Sequence, residues 1–263
     1  SFFRLSAARA ENCEVLIGPI SHIRPIRLMA LITPAVLPSS REDLKEKLRL
    51  LTSISSVKRI QIDVVDGRFA APASWPFSMP TELQNLEAFR HTLLRPDGIE
   101  YEIDLMCLDA EKIAAAWLSL GATRLIFHAE AITDLPQFLA SVRKKFGGGD
   151  GLISFGLALN IASDLSLIEQ NIDDIQFVQF MGIARIGRQG QPFDRRVFEK
   201  VRVFCHHHPE MPVQVDGGIS LPSARQLLAL GVCNLVIGSG ILKAKDPAAA
   251  LAAFEVLETP FGV

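Results

Sequence analysis

The chain contains 263 residues, of which 49% are hydrophobic and 21% are charged. Its 27 lysine and arginine residues nearly balance 29 aspartate and glutamate residues, which gives a formal net charge of −2. This composition excludes an intrinsically disordered chain, and the small net charge argues against a protein that binds nucleic acid or an anionic membrane. No apolar run reaches about 18 residues, so we expect no transmembrane helix.

The four cysteines, Cys13, Cys107, Cys205 and Cys233, lie far apart along the chain. None of them forms a CxxC pair, so the pattern does not indicate a disulfide framework. We interpret them as reduced and mostly buried thiols of a cytoplasmic protein.

The first 28 residues differ from the rest of the chain because they show no sustained periodicity. Their opening, SFFRLSAARA, has the arginine- and serine-rich composition of an organelle transit peptide. Glu11 and Glu14 follow closely, however, and the features of a secretory signal are lacking. We therefore interpret residues 1–28 as a poorly ordered N-terminal extension and residues 29–263 as one catalytic domain.

From Leu31 onward, short apolar runs that predict strands alternate with segments of helical spacing. The predicted strands are residues 31–37, 59–66, 99–106, 124–130, 152–159, 177–183, 212–215 and 234–237. The predicted helices are one that carries Leu44, Leu48 and Leu51, and then residues 82–91, 110–120, 135–146, 165–170, 193–207, 222–230 and 246–257. Near-continuous apolar strands are typical of parallel sheets that are covered on both faces. Eight such units predict a single (β/α)8 TIM barrel, with an open doubly wound sheet as the lesser alternative.

Polar side chains follow the predicted strands at their carboxyl ends, where a (β/α)8 barrel carries its chemistry. They are Gln61, Asp63 and Asp66 on strand two, Asp104 on strand three, His128 and Glu130 on strand four, and Asp216 on strand seven. Side chains alternate along a strand, so Gln61, Asp63 and Val65 share one face. Carboxylates that point into a barrel mouth are costly unless they hold a metal or transfer protons.

Two glycine motifs follow the last two strands. Gly217-Gly218 follows strand seven and Gly238-Ser239 follows strand eight, which is the usual phosphate corner of this fold. Glycine lets backbone N–H groups approach an anion closely, and a short helix N-terminus adds a favourable dipole. Either pair alone is a weak signal, because turns after strands often need glycine. Together they predict a phosphate-binding corner.

These polar and glycine residues belong to motifs that occur in a fixed order along the chain. The motifs are Asp63-Val-Val-Asp-Gly-Arg-Phe69, Asp104-Leu-Met106, His128-Ala-Glu130, Gly190-Gln-Pro-Phe193, Val215-Asp-Gly-Gly-Ile219 and Gly238-Ser239. Their order resembles that of ribulose-phosphate 3-epimerases, and Thr33-Pro-Ala-Val-Leu37 resembles the opening strand of that family. The resemblance implies a barrel of the ribulose-phosphate-binding type. It also implies an isomerase that inverts the carbon beside the ketone of a phosphorylated ketose, and it is compatible with a homo-oligomer.

The resemblance implies a role for each matching residue. Asp63 and Asp216 would transfer protons on opposite faces of the substrate carbon, and both would also be ligands of a divalent metal that holds the enediolate. The residues that would bind the substrate and its phosphate are Gly217, Gly218, Gly238, Ser239, Met106 and Met181.

The metal site departs from the family pattern of two histidines and two aspartates. Gln61 stands in place of the strand-two histidine and Asp104 in place of the strand-three histidine, so the predicted ligands are Gln61, Asp63, Asp104 and Asp216. This all-oxygen set favours Mg²⁺ or Mn²⁺ over Zn²⁺. Two alternatives stay open: a retuned metal site in an epimerase, or a degraded site in a non-catalytic phosphosugar-binding relative, in which Asp104 pairs with an arginine or another donor. A related aldolase or decarboxylase would need a lysine near the end of strand three, where the chain reads Asp104-Leu-Met-Cys-Leu-Asp109.

Three histidine and aspartate features each have a structural alternative. His206-His-His208 resembles a metal tract, but its place at a helix end favours a solvated group that stabilises the helix C-terminus. His128 is a metal ligand, a group that supports a ligand from behind, or a buried, hydrogen-bonded histidine. Asp66 precedes Gly67 and is able to hold a turn without taking part in chemistry.

For two loops near the predicted mouth, the sequence does not decide between a role in the site and a structural or solvent-facing role. Arg185 and Arg188 lie in the loop after strand six, which lacks the Asn-Pro-Gly sequence usual in the family. They either reach an anionic group of the substrate or face solvent. Trp75 and Phe77 in the proline-rich loop after strand two either cover the pocket or pack at the barrel rim.

Overall fold

Eight parallel strands close into a barrel in the computed structural model, which describes residues 31–89, 98–147 and 153–258. The strands are β1 (Leu31–Val36), β2 (Arg59–Val65), β3 (Glu100–Met106), β4 (Arg124–His128), β5 (Ser154–Leu159), β6 (Phe177–Met181), β7 (Val213–Asp216) and β8 (Asn234–Ile237). Each strand pairs with the next in the chain, and β8 pairs with β1 from Leu31 opposite Asn234. The barrel prediction is confirmed, and this closing pair excludes the open sheet.

Helices pack around the outside of the strands. They are α1 (Arg41–Thr52), α2 (Pro80–Gln84), α3 (Ala110–Ser119), α4 (Leu135–Phe146), α5 (Ser166–Glu169), α6 (Arg196–His207), α7 (Leu221–Ala229), α8 (Ser239–Leu242) and α9 (Pro247–Glu255). Local chemistry sets several boundaries. The Ser40 hydroxyl accepts a hydrogen bond from the Asp43 backbone N–H at the start of α1, and the Asp246 carboxylate caps α9. Helix α4 ends at Gly147 in the left-handed region.

Several predicted boundaries were wrong, and three of them have a local reason. The helix predicted at 82–91 is the short α2 followed by a 3-10 turn at Leu86–Phe89, and residues 90–97 lie outside the described ranges. Helix α6 begins at Arg196 rather than at residue 193, because the Asp194 backbone N–H is bound to the carbonyl of Gly182. Strand β4 ends at His128, since residues 129–131 turn into a 3-10 helix.

The space between strands and helices is apolar, whereas the barrel interior is crossed by polar side chains that bind one another. The Thr33 hydroxyl donates to Asn234 Oδ1 at 2.9 Å, and Asn234 Nδ2 donates to Gln214 Oε1 at 3.0 Å. Gln214 Nε2 donates in turn to Gln179 Oε1 at 2.6 Å and to Glu102 Oε1 at 3.0 Å. Each of these amides is oriented by its neighbours, because every hydrogen bond in the chain fixes which side of the amide carries the donor.

The predictions about the cysteines and about membrane spans can be compared with the structure only for the described residues. Cys107, Cys205 and Cys233 are free thiols, whereas Cys13 and the predicted N-terminal extension lie outside the described residues. In the part of the chain that the structure describes, every helix is too short or too polar to span a membrane.

Candidate active site

Three aspartates from three strands meet at the carboxyl end of the barrel. Asp63 lies near the end of β2, Asp104 is its partner in register on β3, and Asp216 is the last residue of β7. One carboxylate oxygen of each lies within 4.8 Å of those of the other two, and all three side chains are buried. The structure therefore brings together three of the four predicted ligands, in a position where three negative charges are costly without a cation or protons.

Gln61, the fourth predicted ligand, bridges two of these carboxylates through its amide nitrogen. Gln61 Nε2 donates to Asp63 Oδ1 at 2.9 Å and to Asp216 Oδ2 at 3.2 Å. Its Oε1 is buried and has no hydrogen-bond partner among the described residues. A buried amide oxygen without a donor is rare, because it keeps the full cost of desolvation. The three carboxylates form a donor set that fits a hard divalent cation, whereas Gln61 presents its amide nitrogen to two of them.

The crowding raises the proton affinity of two of the aspartates. Burial, and then the nearby charge of Asp104, raise the pKa of Asp63 to about 8. Burial and the charges of Asp63 and Asp104 raise the pKa of Asp216 well above its usual range. In the absence of a cation, the site therefore retains protons near neutral pH, as a site for proton transfer requires.

Asp104 is held on both of its oxygens. His128 Nε2 lies 3.0 Å from Asp104 Oδ1, and Gln179 Nε2 donates to Asp104 Oδ2 at 3.0 Å. Burial alone would lower the pKa of His128, but the charge and hydrogen bond of Asp104 outweigh burial and raise it. His128 is thus a buried, hydrogen-bonded histidine that lies against the ring of Phe69. Asp104 pairs with a histidine and an amide, and not with an arginine.

The glycine motifs line the same cleft as the carboxylates. The cleft has a volume of about 180 Å³. Its described lining includes the predicted residues Asp63, Met106, Met181, Asp216, Gly217, Gly218, Gly238 and Ser239. Gly217 and Gly218 have φ of +108° and +68°, and the short helix α8 begins directly after Gly238. The predicted anion corner and the carboxylate cluster therefore belong to one site.

The loop after β6, residues 182–195, covers part of this cleft. Gln189 Nε2 donates to the carbonyl of Ala35 at 3.1 Å, and Arg188 Nε donates to the carbonyl of Ala71 at 3.1 Å. Both arginines are exposed, but Arg188 lines the cleft and Arg185 does not.

Sequence reasoning missed Gln179 and Gln189. Gln179 lies two residues before Met181 on β6, so strand alternation places both side chains on the inward face, and this signal was available. Gln189 lies in an irregular loop, and no periodicity predicts its contact with Ala35.

The remaining alternatives are settled by contacts. Asp66 Oδ1 accepts from the backbone N–H groups of Arg68 and Phe69 at 2.7 Å, so Asp66 holds a turn. Trp75 is fully buried, with its ring centroid 6.0 Å from that of Trp117, so it packs at the rim and does not cover the cleft. Phe77 also packs against this apolar core.

The histidine tract lies at the end of α6. His207 and His208 both contact one carboxylate oxygen, Glu169 Oε1, at 3.2 and 3.3 Å. Among the described residues, the group of three potential metal ligands is the aspartate cluster, and this tract forms no such group.

Fold and site together define a (β/α)8 barrel whose mouth joins a carboxylate cluster to a glycine-lined anion corner. The Ribulose-phosphate 3 epimerase family matches residues 31–242. The chain belongs to this family.

Curated relatives are similar over most of their length. The chain is 28% identical over 228 residues to a ribulose-phosphate 3-epimerase of Mycobacterium leprae, covering 85% of this chain and 92% of the relative. It is 24% identical over 238 residues to the chloroplastic ribulose-5-phosphate-3-epimerase of Arabidopsis thaliana, covering 89% of this chain and 79% of the relative. Both matches cover more than four fifths of this chain, so they concern most of the domain.

Solved structures show the same fold at lower identity. KGPDC from Streptococcus mutans superposes with a TM-score of 0.63 at 18% identity, covering 88% of this chain and 97% of that chain. The 3-hexulose-6-phosphate synthase from Salmonella typhimurium superposes with a TM-score of 0.62 at 14% identity, covering 87% of this chain and 98% of that chain. At these identities the likeness concerns the barrel architecture alone.

Proposed function

We propose that this protein is a metal-dependent epimerase of a phosphorylated ketose, acting as ribulose-phosphate 3-epimerases do. One observation carries the proposal: Asp63 and Asp216, two buried carboxylates of raised pKa, line the same cleft as the glycine anion corner. A protein that only binds a phosphosugar has no need of such a pair, because burying two carboxylates destabilises the fold. Two proton-transfer groups beside an anion corner are what inversion at a carbon of a phosphosugar requires.

The reaction follows from the positions of these groups. The phosphate of the ketose binds the backbone N–H groups at Gly217, Gly218 and Gly238, which places the carbon chain over the carboxylates. An ionised carboxylate, of Asp63 or Asp216, removes the proton from C3. The C–H electron pair forms the C2–C3 double bond, and the carbonyl electrons move onto O2. The other carboxylate, which is protonated, gives its proton to the opposite face of C3. The electron pair of the C2–C3 double bond forms the new C–H bond, the electrons on O2 restore the carbonyl, and the configuration is inverted.

A divalent cation would be held by the three clustered aspartates, and the Gln61 oxygen, which has no hydrogen-bond partner among the described residues, would join them if the amide turned over. Mg²⁺ or Mn²⁺ suits this all-oxygen set better than Zn²⁺. When bound, it supplies positive charge that offsets the carboxylates and stabilises the negative charge on the enediolate oxygens. His128 and Gln179 act through Asp104, because their hydrogen bonds fix the direction of its two oxygens.

The thiols bear on where the protein works. Burial raises the pKa of Cys107, Cys205 and Cys233, so these thiols are protonated and poorly reactive at neutral pH. Unpaired thiols are typical of proteins in reducing compartments. We therefore propose a cytoplasmic location.

Proton exchange at C3 tests the proposed function directly. Purified protein is mixed with D-ribulose 5-phosphate in D₂O, with Mg²⁺, Mn²⁺, Zn²⁺ or EDTA, and the C3 proton is followed by NMR. We expect loss of this signal with Mg²⁺ or Mn²⁺ and none with EDTA. Asp216→Asn should abolish the exchange, whereas Asp164→Asn, which changes an exposed aspartate away from the cleft, should not. No exchange with any metal at high protein concentration would exclude epimerisation of this ketose and favour the phosphosugar-binding alternative.

A further inference from the structure

We propose that two side chains of the loop after β6, Arg188 and Gln189, complete the phosphate subsite. This chain would then bind a phosphate monoester dianion through a guanidinium and an amide as well as through glycine backbone N–H groups. The inference deepens the proposed function, on which it rests for the identity of the substrate.

Gln189 lies directly over the glycine corner. A Cβ atom placed on Gly238 would lie 2.5 Å from Gln189 Nε2, so the amide nitrogen occupies the space that a side chain at Gly238 would fill. This nitrogen donates to the carbonyl of Ala35. An amide nitrogen carries two N–H groups, and no second acceptor contacts it among the described residues. One donor is therefore left beside the corner for an oxygen of the phosphate.

Arg188 is anchored by one end of its guanidinium. Its Nε donates to the carbonyl of Ala71 in the loop after β2, while no described side chain or carbonyl accepts from its terminal nitrogens. The neighbouring Gly187 keeps this part of the loop close to β2, since a Cβ there would lie 3.1 Å from Ala70 Cβ. A guanidinium held in this way presents its remaining N–H groups as a fork, which matches two oxygens of a phosphate.

The charge of the cleft supports the same assignment. Its described lining contains the carboxylates of Asp63 and Asp216, and Asp104 lies within 4.8 Å of both. Arg188 is the one cationic side chain among the described residues that line it. A phosphate dianion entering this mouth is repelled by the carboxylates, and a guanidinium anchored at the cleft offsets that repulsion.

Arg185 is a matched control for Arg188. It carries the same charge in the same loop three residues earlier and is exposed like Arg188, but it does not line the cleft. Replacing either arginine by glutamine changes the net charge of the protein equally. Any difference between the two variants therefore reports local contact rather than the general electrostatic field.

Binding of inorganic phosphate tests the proposal without turnover. Calorimetric titrations at pH 8 would compare the wild type with Arg188→Gln, Arg188→Lys, Gln189→Ala and Arg185→Gln, each checked by its thermal unfolding midpoint. We expect Arg188→Gln to weaken phosphate binding about tenfold or more, and Gln189→Ala about threefold to tenfold. Arg188→Lys keeps the charge without the fork and should lie between wild type and Arg188→Gln.

Equal weakening by Arg188→Gln and Arg185→Gln would overturn the proposal, as would wild-type protein that does not bind phosphate. The two proposals fail separately. A wild type that binds phosphate through Arg188 but exchanges no C3 proton contradicts the epimerase alone. Full exchange with an Arg188→Gln variant of unchanged phosphate affinity and KM contradicts the phosphate subsite alone.

Discussion

Gly218 is the position where the phosphate corner leaves no room for a side chain. Its φ is +68°, and a Cβ there would lie 2.7 Å from the backbone nitrogen and 2.8 Å from the Cα of Phe193. Both obstacles are backbone atoms, so no rotamer change relieves them. Gly147, at the end of α4, has a closely similar φ of +70° and no atom within 4 Å of such a Cβ. Comparing Gly147→Ala with Gly218→Ala therefore separates the free-energy cost of a left-handed alanine from the cost of the steric clash.

The expected losses of stability differ accordingly. Gly147→Ala carries only the cost of a left-handed alanine, about 1 kcal/mol. Gly218→Ala carries this cost plus that of forcing the β6 loop outward, which by analogy with overpacked cores adds about 1–3 kcal/mol. Because the displaced loop carries Arg188 and Gln189, phosphate affinity should also fall about tenfold or more in this variant.

Urea unfolding of both variants and the wild type measures the first effect, through midpoints at an unchanged denaturant slope. Phosphate titration measures the second. Equal destabilisation by Gly147→Ala and Gly218→Ala, with phosphate affinity preserved in both, would refute the reasoning, because the close approach of the β6 loop to the corner would then have no energetic consequence.

Three other predictions follow from the site. Metal-free protein should lose stability as the pH rises from about 4 to 8. The reason is that Asp63 has a pKa of about 8 in the folded state against an ordinary value of 3.8, so the folded state binds more protons in this window. Urea unfolding in EDTA should show that the free energy of unfolding falls by several kcal/mol and that Mg²⁺ reverses the loss, whereas a free energy that does not change with pH contradicts the prediction. Asp66→Ala removes the acceptor of the Arg68, Phe69 and Leu108 backbone N–H groups. It should lower the free energy of unfolding by about 2 kcal/mol and leave phosphate affinity unchanged. A marked fall in phosphate affinity would place Asp66 in the site after all. Gln61→His combined with Asp104→His should raise the ratio of Zn²⁺ to Mg²⁺ affinity about tenfold or more, since imidazole suits Zn²⁺ better than carboxylate does. Competition titration of the two metals measures this ratio, and an unchanged ratio would mean that these residues are not ligands.

The sequence by itself determined the barrel and the strand ends that carry the site. Apolar runs, the Ser40 and Asp246 caps and the regular strand–helix order are local signals, and each acts within a few residues of the chain. The carboxyl ends of all eight parallel strands lie at one end of the barrel. Asp63 and Asp216, 153 residues apart in the chain, therefore had to meet there once the barrel was predicted.

Tertiary structure alone decided which groups touch. The partners of Asp104 come from β4 and β6, the amide nitrogen of Gln61 rather than its oxygen faces the carboxylates, and Arg188 but not Arg185 lines the cleft. No local pattern encodes these contacts, because they depend on the closure of the barrel and on how each buried donor finds an acceptor across it. Strand periodicity tells which side chains point inward, and only the packed interior selects the hydrogen bonds among them.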